Sequence, residues 1–161
     1  MSVFDLFKKK ASDTDLSYSY AELKAHEVLT GTFDQAAELS AGKKVTIDTA
    51  SYPEAVANLD ALVKEKKAAA GTADHPGELV DLDGCRISIF LSKTPDRVPV
   101  ILLYIDNQFV GTKIAGSERS LDLYDAFREH RFTALHVEIK DDDDADSGCD
   151  YKVKLIMHEA E

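Results

Sequence analysis

In 161 residues the sequence has no tryptophan, two cysteines and two methionines, and its eight glycines are scattered. None of them forms a G-x-G-x-x-G or G-x-x-x-x-G-K pattern, so the loops that cradle nucleotide phosphates are missing. Neither a G-x-S-x-G elbow nor an H-E-x-x-H segment is present, which removes two common hydrolase signatures. Cys85 and Cys149 stand alone, without C-x-x-C spacing and with no histidine close by in sequence. Two such cysteines make no disulfide framework. Basic charge is also scarce. Nineteen Lys+Arg face thirty Asp+Glu, a net −11, which argues against binding nucleic acid by bulk charge. The longest near-apolar run, Val98 to Ile105, is far short of the roughly 20 residues that cross a bilayer. At the N-terminus the apolar residues come first and Lys8-Lys9-Lys10 after them, the reverse of a secretory leader. The expectation is a cytoplasmic protein with no transmembrane segment and no cofactor, and a binding or regulatory module ahead of an enzyme.

The 44% of apolar and 30% of charged residues suit one folded domain with a substantial core. Residues 1–20 read as a short amphipathic segment (Val3, Phe4 and Phe7 on one side) and a polar linker, and 21–161 as a single α+β domain. Glu27 to Phe33 reads as a strand interrupted at Gly31, Lys44 to Thr49 as a second strand, and Asp34 to Ser40 as a helical turn. Helix signals are firm at about 52–68. There Ser51-Tyr52-Pro53-Glu54 has capping-box spacing, and Tyr52, Ala55, Val56, Leu59, Leu62 and Val63 form one stripe. From Glu78 the period changes to two: Cys85, Ile87, Ile89 and Leu91 alternate with Arg86, Ser88, Phe90 and Ser92.

Val98 to Ile105 is apolar on both faces, as a central strand would be. Asp106-Asn107 then signals a hairpin into Phe109 to Ile114. A second main helix is expected over about 118–130, with Leu123, Tyr124 and Phe127 on its apolar face. Two last alternations follow, Leu135-Val137-Ile139 and Tyr151-Val153-Leu155-Met157, joined by an acidic stretch. The order β-β-α-β-β-β-β-α-β-β favours an α+β fold on a mainly antiparallel sheet or a small, partly open β-barrel.

Charge is uneven along the chain. Residues 141–161 hold eight acids against Lys152 and Lys154. Asp142, Asp144 and Asp146 alternate, and carboxylate oxygens suit hard cations such as Ca²⁺. An EF-hand would need glycine and glutamate where Ser147 and Val153 stand, so the motif does not match. The simpler reading is a solvated hairpin loop whose charge discourages aggregation. The five histidines, His26, His75, His130, His136 and His158, show no ligand spacing. His130 ends a helix and His136 faces outward if its apolar neighbours face in.

One segment resembles a known family. Thr94-Pro95-Asp96-Arg97, followed by Val100 to Ile105, Asp106-Asn107 and a strand carrying Val110-Gly111, is similar to the HIRAN domain, in which an Asn-Pro-x-Asp turn leads into an apolar strand, a tight hairpin and a Val-Gly strand. Thr94 replaces the family's Asn and Arg97 its Asp. The element order agrees over about 45–158. The resemblance implies a small barrel-like module, and for some members binding of single-stranded DNA ends. Such binding calls for a basic groove with stacking aromatics. Arg86, Lys93, Arg97, Lys113 and Arg119 lie near Phe90, Tyr104 and Phe109 in sequence, and Thr94, Arg97, Tyr104, Lys113 and Arg119 are the candidate contacts for nucleic acid or another partner. Three readings therefore stand: a non-enzymatic module for a protein partner, a HIRAN-like binder of nucleic-acid ends, and a cation-dependent domain or enzyme centred on Asp142, Asp144 and Asp146.

Overall fold

A computed structural model of the chain describes residues 18–36, 42–71, 79–141 and 151–159. Among them are three helices, α1 (Tyr20–Lys24), α2 (Pro53–Ala70) and α3 (Glu118–Arg128). Seven strands accompany them: β1 (Val28–Asp34), β2 (Lys43–Ile47), β3 (Arg86–Lys93), β4 (Pro99–Ile105), β5 (Gln108–Ile114), β6 (Phe132–Asp141) and β7 (Tyr151–Glu159). They form two antiparallel sheets, β1-β3-β4-β5 and β2-β7-β6. The fold is the expected α+β class built on antiparallel sheets. It is not closed into a barrel: the sheets join at one seam, where Asp48 and Thr112 exchange both backbone hydrogen bonds at 2.7 and 3.0 Å. Of the four strands expected between the long helices, three form; Leu79 contributes a single bridge to Lys140.

The strand alternation explains the core. Ile87, Ile89, Leu91, Ile101, Leu103, Ile105 and Val110 from one sheet face Val45, Ile47, Leu135, Val137, Ile139, Val153, Leu155 and Met157 from the other. Leu59, Leu62 and Val63 of α2 and Leu123, Ala126 and Phe127 of α3 complete this layer. Cys85 is buried here, which pushes its thiol pKa up and makes it the small core residue its pattern suggests. A second cluster lies on the opposite face of the four-stranded sheet: Val100, Leu102, Tyr104, Phe109 and Ile114 pack under Leu23 of α1 and under Tyr52 and Ala55 at the start of α2. β4 is thus buried on both sides.

Three local details differ from the sequence reading. Helix α2 starts at Pro53 with Tyr52 as its N-cap and no side-chain cap, so Glu54 is the second helical residue and the Ser51 box does not form. Instead the Ser51 amide donates to Asp48 Oδ1 at 3.2 Å and the Tyr52 amide to the Thr49 carbonyl at 3.0 Å, a turn that sets the helix start one residue later. Capping boxes occur at Ser19–Glu22 and at Ser117–Ser120. Asp34 closes β1 rather than opening a helical turn, and residues 37–40 of that expected turn lie outside the described part. Helix α3 ends at Arg128, because His130 takes a left-handed φ of 56°.

Gly111 occupies the seam. Its φ is +150°, and a Cβ there would lie 2.6 Å from both the Asp48 carbonyl oxygen and Ile47 Cγ2. Only glycine lets β2 approach β5 this closely.

Candidate functional site

The five candidate contacts are dispersed. Thr94 and Arg97 form the β3–β4 loop: Thr94 Oγ1 accepts from the Val98 amide at 3.1 Å, and Arg97 holds a left-handed φ of 67°. Thr94 is buried by this structural role and Arg97 is exposed. Tyr104 lies at the far end of β4, about 17 Å of strand away, on the face covered by α1. Lys113 stands opposite Ile101 and therefore on the other face, towards the main core. Arg119 is exposed on α3, at the first turn. No single surface holds Tyr104 together with Lys113. Asp142, Asp144 and Asp146, like Cys149 and His75, lie outside the described residues.

The aromatics of the resemblance do come together, but under cover. Tyr20 of α1 stacks on Phe109 with centroids 3.9 Å apart and planes at 9°, and Phe90 packs on Tyr104 at 4.7 Å. Tyr104 donates to Glu27 Oε2 at 2.7 Å, so the 2.6 Å contact between the Tyr20 and Tyr104 hydroxyls has Tyr20 as donor. Burial, reinforced by these partners, raises the Tyr104 pKa far above its ordinary value. Ser92 Oγ donates to the Leu23 carbonyl at 2.6 Å and the Tyr18 hydroxyl bonds Asp96, fastening α1 at both ends. Tyr20 thus covers the face of the Phe109 ring.

A different surface concentrates charge. Because Val45, Leu135, Val137, Ile139, Val153 and Leu155 point inward, Lys44, Thr46, Ala134, His136, Glu138, Lys140, Lys152, Lys154, Ile156 and His158 occupy the outer face of the three-stranded sheet. Lys140 is directly opposite Lys152, Glu138 opposite Lys154, and Thr46 opposite Lys154 on its other side. Lys44 reaches Glu138 at 3.4 Å. Four lysines thus share roughly 10 Å of sheet width, with Glu138 the one carboxylate among the described residues of that face. Like charges directly opposite on a sheet cost it some stability. This surface was missed in the sequence because register creates it. The alternation Lys152-x-Lys154 was visible; its apposition to Lys140 and Lys44 was not.

His136 lies on this outer face, as its strand alternation implies, but it is half-buried. Its Nδ1 is 2.8 Å from the Ala36 carbonyl and 3.3 Å from Gln35 Nε2. Gln35 in turn pairs with β6 as a strand would: its Nε2 donates to the Val137 carbonyl at 2.8 Å and its Oε1 accepts the Val137 amide at 2.9 Å. Among the described residues no group of three His, Cys, Asp or Glu side chains is placed to hold a metal ion, and no helix is long and apolar enough to cross a membrane. A cleft of about 500 Å³ opens between β1 and β6, lined by Phe33, Asp34, Arg86, His130, Phe132 and Thr133 among others. Its Arg86 and His130 side chains are exposed, and Arg86 already pairs with Asp34 at 3.1 Å. Comparison with known protein families, with curated proteins and with solved structures finds no match to this chain.

Proposed function

We propose that this chain is a non-enzymatic binding module that docks an acidic segment of a partner protein on the lysine face of its three-stranded sheet. The observation that carries this reading is the Lys140–Lys152 apposition, flanked by Lys154 and Lys44, on a chain of net charge −11. Lysines are compact point charges that attract carboxylates without demanding bidentate geometry. The face carries no Phe, Tyr or Trp among the described residues, so it offers charge more than base stacking. The chain's overall negative field also repels a long polyanion more than a short acidic peptide, whose contacts fall within a Debye length.

The test is fluorescence anisotropy with a labelled acidic peptide and with single-stranded oligonucleotides, each at low and at physiological salt. Saturable, salt-sensitive peptide binding that weakens about tenfold in a Lys140→Ala, Lys154→Ala double variant supports the reading. Peptide binding indifferent to those changes refutes it. The HIRAN-like alternative draws on the shelf of Phe90, Tyr104 and Phe109, and requires α1 to lift so that a base replaces Tyr20. It predicts oligonucleotide binding that prefers a free strand end, strengthens in Tyr20→Ala and is unmoved by the lysine changes.

A further inference from the structure

The two sheets are closed differently on their two sides. At the seam, backbone pairs with backbone, Asp48 with Thr112, and Gly111 lets β2 come close to β5. On the opposite side, where the chain passes from β1 to β6, one residue belongs to both sheets. The Gln35 amide donates to the Cys85 carbonyl at 3.1 Å and so stays with the four-stranded sheet. Its side chain turns to the other sheet, where Oε1 accepts the Val137 amide at 2.9 Å and Nε2 donates to the Val137 carbonyl at 2.8 Å. A primary amide presents a donor and an acceptor side by side, so it can satisfy both backbone groups of one strand residue at once. Ala36 completes the crossing: its amide donates to the Leu135 carbonyl at 2.9 Å, and its carbonyl accepts from His136 Nδ1 at 2.8 Å.

Cavities flank this crossing. The cleft of about 500 Å³ is lined by Asp34, Ala36 and Leu135, and a second cavity of about 130 Å³ by Gln35, His136 and Val137, with no lining residue in common. From this we propose that Gln35 is a latch. Its side-chain amide holds residues 34–36 on β6, and release of those bonds lifts the segment, joins the two cavities into one groove and bares the Val137 backbone. Gln35 is half-buried, so water can reach the groups that its amide gives up. The bonds at stake come from one side chain and not from a continuous ladder, and local openings draw on segments held in that way. Further along β6 the edge is held separately, by the Val80 amide donating to the Ile139 carbonyl at 2.9 Å and by the Leu79–Lys140 bridge. The opening is therefore confined to the stretch around Leu135 and Val137. It involves none of the lysines on the outer face, so the latch and the peptide reading stand or fall separately.

Amide hydrogen exchange of the full chain, followed residue by residue by nuclear magnetic resonance, tests this. In the wild type the Ala36 and Val137 amides should exchange together, through one opening that low urea barely accelerates, and ahead of the β4 amides at the centre of the other sheet. Gln35→Ala and Gln35→Met, the second keeping the length of the side chain without its hydrogen bonds, should each speed exchange at Val137 about tenfold or more while β4 keeps its protection. Wild-type protection of Val137 in Gln35→Met overturns the proposal, since bulk alone then covers the edge. Equal acceleration throughout the chain also overturns it, because Gln35 then serves global stability and no separate opening. Should neither variant fold, the wild type decides: Ala36 and Val137 amides that exchange only with global unfolding leave no latch to open.

Discussion

The two sheets share a core but differ in what their outer faces do. The four-stranded sheet is buried on both sides: its outer face packs under α1 and the start of α2, and its aromatics are engaged with one another. On the three-stranded sheet the outer face carries four lysines and, among the described residues, little apolar cover, Ile156 beside Gly42 being its buried exception. A face filled by side-chain packing is committed to stability. One on which like charges are aligned adds little to it.

The sharpest way to break that contrast is to truncate equivalent positions. Leu102, buried on the outer face of the four-stranded sheet, should lose about 2–5 kcal/mol when replaced by alanine. Thr46→Ala, on the outer face of the other sheet, should stay within about 0.5 kcal/mol. Urea denaturation compares them directly, and equal losses would mean that both faces are structural.

The seam between the sheets comes next. Gly111→Ala combines a φ of +150° with a Cβ 2.6 Å from the Asp48 carbonyl oxygen, so a loss of about 2 kcal/mol or more is expected. A near-neutral result would show that the two sheets are not held at this distance by the Asp48–Thr112 bridge.

A pH titration separates the faces by their chemistry. The buried tyrosines Tyr52 and Tyr104 have pKa values raised above the ordinary 10.0, chiefly by desolvation of the phenolate. The folded state therefore holds the phenolic proton more tightly than the unfolded chain. Its stability is fully present below pH 10 and falls as pH rises above it. Thermal melts should show an alkaline limb that becomes shallower in Tyr104→Phe, at a cost near neutrality of about 1 kcal/mol for the lost hydrogen bonds. Lysine-face variants should leave that limb in place.

Much of this architecture was legible one element at a time. Apolar alternation placed β3 to β7, the two-sided run marked β4 as central, and Asp106-Asn107 gave the hairpin, where both residues take positive φ of 48° and 68°. Partnership was not legible. Period two assigns Val45 and Leu155 each to an inward face, but nothing local says that they lie opposite one another across more than a hundred residues. The division into two sheets, the edge cover supplied by the Gln35 side chain and the lysine face all depend on that long-range register. The candidate set of Thr94, Arg97, Tyr104, Lys113 and Arg119 met the same obstacle, since nearness in sequence says little about which face of a twisted sheet a residue reaches.

The smallest expected change in stability is the most discriminating. Replacing Lys140 by glutamate turns a like-charge pair with Lys152 into an opposite-charge pair, and cross-strand pairs of that kind contribute about 0.2–1 kcal/mol. Lys140→Glu should therefore melt at the same temperature or slightly higher, and still lose affinity for an acidic peptide. A purely structural sheet would gain stability with no functional loss, and a generic basic surface would lose affinity with no gain in stability. Only a face whose charge is kept for a partner at the expense of the fold moves in both directions at once. Salt adds a control: the difference in affinity between the wild-type chain and Lys140→Glu should shrink as ionic strength rises, because contacts between exposed charges are screened.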